Sequence, residues 1–176
     1  MSKTRKLLPP ALALALLMAF AAPAARAAQP GDPAPEWDLI DGGGRDIFFP
    51  AHAAGAPSIL FFWATWCPYC HAVMPYLKQI QEDYRQAGVR VYAINFKDDG
   101  DPVEHMAELG YPFVVLPLGD LVADDYSVWG APGLIVVDGD GVVAYRRGDT
   151  RAPPGTKIAE LWDAELRAAL DGVLGR

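Results

Sequence analysis

Apolar residues recur along this chain in two rhythms. Ser58-Ile59-Leu60-Phe61-Phe62-Trp63, following Pro57, is apolar almost without a break, the pattern of a central strand covered on both faces. Val73, Tyr76, Leu77, Ile80 and Tyr84 then repeat at helical spacing. They predict a helix opening at Cys67, kinked at Pro75 and closed by Gly88 as C-cap. Val89 to Asn95 is the next strand, and its return through the preceding helix makes a right-handed βαβ unit. Asp101 as cap and Pro102 at the first helical position predict a second helix reaching Leu109. Phe113 to Leu116 reads as a short strand, and Asp124 to Val128 as a brief helix or turn. Leu134–Val137 and Val142–Tyr145 flank Asp138-Gly139-Asp140-Gly141, a strong hairpin signal. A last helix runs from about Thr156 to Leu170, with Ile158, Leu161, Trp162, Leu166 and Leu170 along one stripe.

The order β-α-β-α-β-β-α, with an extra element between the second and third strands, predicts an α/β fold: a central mixed sheet with helices on both faces. Upstream, Ala28 to Trp37 is rich in proline and polar residues, Asp41-Gly42-Gly43-Gly44 is a turn, and Asp46–Phe49 is a short strand. The chain therefore divides into an N-terminal signal (1–27), an extended lead-in segment (28–45) and one folded domain (46–172). No internal repeat and no second domain is evident.

Residues 1–27 have the layout of a secretory signal. Lys3, Arg5 and Lys6 precede an apolar stretch from Leu7 to Ala22, and Ala25-Arg26-Ala27 places small residues ahead of a cleavage point at Ala28. An uncleaved membrane anchor is the alternative, and either one puts the domain outside the cytoplasm, in the periplasm. Without that segment, which holds four basic and no acidic side chains, the formal charge goes from −7 to −11. So acidic a surface argues against nucleic acid as a partner.

The chain has two cysteines, Cys67 and Cys70, in Trp66-Cys67-Pro68-Tyr69-Cys70 at the end of the apolar strand. At a helix start, residues i and i+3 lie on one side and can close a disulfide. A structural bridge normally closes a longer loop, so the pair reads as catalytic rather than as a local staple. Unpaired N–H groups and the positive helix end favour a thiolate at Cys67, the attacking thiol; Cys70, one turn in, resolves the mixed disulfide. Pro68 suits the helix opening, and Tyr69 belongs to the dipeptide that tunes the pair. Trp63 reads as core, and Trp66 as part of a docking surface beside an exposed thiol. Zinc would need further soft ligands, and Cu(I) held by the pair plus a histidine is a competing use of the thiols. His52, His71 and His105 are far apart in sequence, and His71 reads as an exposed helical residue. Asp98 and Asp99 read as solvated surface carboxylates, with proton relay as the alternative.

Three stretches together resemble the exported bacterial thioredoxin-like thiol–disulfide oxidoreductases, the group that includes TlpA and ResA, and within it the DsbE (CcmG) branch. They are Phe61 to Cys70 with Pro75 downstream, Val91 to Asp99, and Val128-Trp129-Gly130-Ala131-Pro132 leading to Val137–Gly141 and Tyr145-Arg146. The resemblance implies a thioredoxin-like fold and no cofactor or metal beyond the dithiol. It implies catalysis by Cys67 and Cys70, and substrate binding by Trp66, Pro68, Tyr69, Ala131 and Pro132, with Pro132 as a cis proline facing the pair. The implied role is reduction of oxidised protein thiols, such as apocytochrome c, by a monomer supplied with electrons by a DsbD-type membrane carrier. A general or copper-assembly-linked reductase acting on a metallochaperone, an oxidase, and a Cu(I)-binding or redox-inert module are the alternatives. Two positions depart from what the resemblance implies: Gly133 stands where the DsbE branch usually has an acid after the cis proline, and Phe61 where thioredoxin itself has a buried aspartate.

Overall fold

The computed structural model describes residues 27–148 and 151–176, so all of the expected signal but its last residue lies outside the described residues. Seven strands form: β1 (Trp37–Ile40), β2 (Asp46–Phe49), β3 (Ser58–Trp63), β4 (Arg90–Asn95), β5 (Val114–Leu116), β6 (Gly133–Val137) and β7 (Val143–Arg146). The helices are α1 (Pro68–Asp83), α2 (Pro102–Leu109), α3 (Asp120–Asp125) and α4 (Ile158–Leu174). β3 to β7 make a mixed sheet in the order β5-β4-β3-β6-β7. β3, β4 and β5 run parallel, while β6 is antiparallel to both β3 and β7. The fold is α/β and thioredoxin-like, as expected.

The unbroken apolar run of β3 has the predicted cause. Ile59, Phe61 and Trp63 face α1 and α4, where they meet Val73, Leu77 and Ile80 on one helix and Trp162, Leu166 and Leu170 on the other. Leu60 and Phe62 face the opposite core, with Ile94 from β4, Val122 from α3, Tyr126 just beyond it, and Trp37, Ile47 and Phe49 from β1 and β2. Each large apolar side chain so enclosed contributes roughly 1.5–3 kcal/mol.

Several boundaries differ from expectation. Trp37–Ile40, read as lead-in, pairs antiparallel with β2. Trp37 is buried and stacks on Phe49 with ring centroids 5.0 Å apart; four residues are too short a stretch for alternation to stand out. The brief helix expected at 124–128 lies upstream, at Asp120–Asp125, because Val122 and Ala123 are its buried side. α1 stops at Asp83, and Gly88, left-handed at φ 76°, closes a separate 3₁₀ turn over Arg85–Ala87. Ahead of β1, the Tyr126 hydroxyl donates to the Pro35 carbonyl, and Gly31 and Ala34 donate to Val143 and Gly141. This segment thereby covers the β7 edge, which would otherwise expose unpaired backbone groups. The Phe49–Pro50 and Ala131–Pro132 peptide bonds are cis.

Gly133 opens β6 opposite Phe62. A Cβ there would stand 2.7 Å from Val128 Cγ1 and 3.0 Å from Phe62 Cβ, both on buried residues. The acid expected at this place has no room here. Gly133→Ala is expected to destabilise the protein by about 1–3 kcal/mol, the usual cost of overpacking, and Gly133→Glu by more. Urea unfolding should show this as a lower midpoint with an unchanged slope.

Candidate active site

The antiparallel register of β3 and β6 brings the end of one beside the start of the other. The turn leaving β3 (Ala64–Cys67) and the loop leading into β6 (Trp129–Pro132) therefore meet at one end of the sheet. Cys67 is the N-cap of α1, with Pro68 in the first turn. Its Sγ accepts from the Cys70 N–H at 3.2 Å, and its carbonyl accepts from the N–H groups of Cys70 and His71. Cys67 and Cys70 are disulfide-bonded, with Cα atoms 5.3 Å apart, inside the range a disulfide needs. Cys67 is not the exposed thiol expected beside Trp66. It is 2% exposed and Cys70 is 0% exposed, because both join the core beneath α1.

The rim around the pair is aromatic. Trp66 is 60% exposed, Tyr69 55% and Trp129 70%. Tyr69 packs edge-on against Trp162 of α4, with centroids 6.3 Å apart, so the dipeptide between the cysteines is braced by the last helix. Lys97, left-handed at φ 50°, connects the two walls. Its carbonyl accepts from Trp66 Nε1 at 3.0 Å, and its Nζ donates to the Trp129 carbonyl at 3.2 Å. Its own N–H donates to Asp120 Oδ1 at the start of α3. Trp129 and Lys97 were not among the site residues read from the sequence, although both lie in the stretches that carry the family resemblance. Ala131 packs against both cores, and Pro132 is buried.

Asp98 is neither a solvated carboxylate nor a free proton relay. It accepts from the Thr65 N–H, from Thr65 Oγ1 at 2.8 Å, from Asn95 Nδ2 at 2.7 Å and from the Gly100 N–H at 3.0 Å. Partial burial would raise its pKa, but these donors outweigh that and hold it below the ordinary carboxylate value. Phe61, at the other position where an acid is expected, is fully buried and stacks on Trp63. His71 also departs from expectation. It is only partly exposed, and its Nε2 lies 3.0 Å from the Thr65 carbonyl and 3.3 Å from Nε2 of His105.

A dithiol capping the first helix after the central strand, next to a cis-proline loop, defines a thioredoxin-fold thiol–disulfide oxidoreductase. The AhpC/TSA family model matches residues 30–146, and the chain belongs to that family. The thiol:disulfide interchange protein DsbE of Escherichia coli K12 is 33% identical over 142 residues, 78% of this chain and 71% of that protein. The protein of the same name from Yersinia pestis is 41% identical over 95 residues, 52% of this chain and 48% of its own. The crystal structure of a candidate DsbE from Chlorobium tepidum superposes with a TM-score of 0.68 at 28% identity, covering 81% of this chain and 99% of that one.

Asp98→Asn would set an amide N–H₂ among donors and remove the charge they bind. A loss of about 1.5–3 kcal/mol is expected at neutral pH, as for a hydrogen bond to a charged group. The folded-state pKa lies below the unfolded value of 3.8, so the carboxylate's contribution is full above about pH 4. It is lost as pH falls through the lower folded value. The stability gap between wild type and Asp98→Asn, measured by denaturant unfolding, should therefore shrink between pH 7 and about pH 3.

Proposed function

We propose that this chain is a periplasmic reductase of protein disulfides. In this reading it acts on oxidised protein thiols of the apocytochrome c kind and is recharged by a membrane dithiol carrier of the DsbD type. The carrying observation is Cys67 at the α1 N-cap, with its Sγ accepting the Cys70 N–H. In the reduced protein that N–H and the helix dipole favour thiolate at Cys67. The relatives named thiol:disulfide interchange proteins support the activity. The basic-then-apolar N-terminal sequence supports export. Among the described residues no helix is long and apolar enough to cross a membrane.

Cys67 thiolate attacks one sulfur of the substrate disulfide, and the other leaves as thiolate and takes a proton. Cys70, deprotonated, attacks Cys67 Sγ in the mixed disulfide, closing Cys67–Cys70 and releasing the second substrate sulfur as thiolate. Two electrons pass to the substrate, and the carrier's dithiol returns them. The catalytic roles of Cys67 and Cys70 belong to this proposal. So does substrate contact by Trp66, Pro68, Tyr69, Ala131 and Pro132, which rests on their places around the pair.

Cys70→Ser is expected to accumulate a mixed disulfide through Cys67 when mixed with an oxidised protein substrate, visible by non-reducing electrophoresis. Cys67→Ser should form none. Equilibration with glutathione should give a midpoint near that of thioredoxin, about −270 mV; a value near that of DsbA, about −120 mV, would make the protein an oxidant and sink the reductase reading.

A further inference from the structure

His71 and His105 lie 34 residues apart, on α1 and α2, yet their ring centroids are 5.1 Å apart and their Nε2 atoms 3.3 Å. The Thr65 carbonyl stands 3.0 Å from His71 Nε2. A carbonyl oxygen only accepts, and a neutral imidazole nitrogen either donates or accepts. One hydrogen on His71 Nε2 can point at Thr65 O and at the His105 lone pair; a second, on His105 Nε2, would face the first. His71 Nε2 thus stands between two further electron-pair donors, the Thr65 carbonyl and His105 Nε2.

Such convergence matches what a transition-metal ion requires. Two imidazole nitrogens bound tetrahedrally at about 2.0–2.1 Å stand about 3.3–3.4 Å apart, and the observed separation is 3.3 Å. Both histidines are partly buried, and the His105 ring also packs on Trp63, with centroids 6.0 Å apart, which limits its freedom to turn away. The adjoining cleft is lined by Thr65, Asp101, Glu104, His105 and Glu108, carboxylates that draw a cation toward it. Among the described residues no group of three or more His, Cys, Asp or Glu side chains converges, so water or an incoming ligand fills the remaining positions.

We propose that His71 and His105, with the Thr65 carbonyl, bind one divalent transition-metal ion beside the redox turn. Imidazole donors suit zinc, copper or nickel. The ion joins α2 to the residue whose N–H is held by Asp98. The thiols take no part, so the site is present in the oxidised protein and does not depend on the direction of disulfide exchange.

The test is calorimetric titration of Zn(II) into the full chain with its disulfide closed. One ion per chain is expected. His71→Ala and His105→Ala should each weaken binding roughly tenfold or more, while His52→Ala and the Cys67→Ser/Cys70→Ser double variant should bind as wild type does. Circular dichroism checks folding, and His71→Gln and His105→Gln replace any alanine variant that does not fold. No Zn(II) uptake by the wild type, unchanged affinity in both histidine variants, or binding lost only with the cysteines would each overturn the proposal.

Discussion

Strand β3 is buried along its whole length, and a strand with no solvent-facing side must be covered twice. That constraint organises the molecule. α1 and α4 close one face; the β1–β2 hairpin and α3 close the other. Because β3 is central and parallel to β4, the turns leaving both strands lie at the same end of the sheet, where α/β folds gather functional groups. The cysteines follow β3 directly. Their setting, a helix start backed by a close-packed core, is therefore a consequence of where the most apolar strand must sit.

The Asp98 carboxylate fixes that end of the sheet more finely. It ties the backbone and side chain of Thr65, two residues before Cys67, to Asn95 at the end of β4 and to Gly100 on the turn that follows. An acid engaged by four donors is a poor proton shuttle, since taking up a proton would turn one acceptor into a donor and break a contact. Phe61 is apolar and fully buried, and Gly133 leaves no space for a side chain, so neither position supplies an acid to the redox turn.

Much of this was legible in the sequence. The long periodic elements were, because β3, α1 and α4 each bury enough apolar surface to leave a pattern. So was the redox pair, because its chemistry needs two thiols at fixed spacing. Shorter pieces were not: β1 has four residues and α3 six, and only their partners across the sheet reveal which side is buried. The histidines and Asp98 were misjudged for a different reason. Asp98 meets Thr65 across 33 residues and His71 meets His105 across 34, and composition around a polar residue does not announce a contact formed by folding. Cys67 was placed at the right end of the right helix, but its near-complete burial depends on packing beneath α1 that no local pattern encodes.

That burial bears on how a partner reaches the pair. A cysteine that is 2% exposed meets another sulfur only if the partner's chain seats closely over it. The rim offers large exposed aromatic faces for such seating, and Trp66 and Trp129 are held to one residue, Lys97, through its carbonyl and its ammonium group. The two walls therefore cannot move independently without losing a hydrogen bond to that lysine. Under the proposed function, apolar contact with Trp66, Tyr69 and Trp129 would supply binding energy for a partner, and the helix N-terminus beneath them would favour the thiolate at Cys67. Surface and thiol are thus set by the same three turns, those leaving β3 and β4 and the one entering β6.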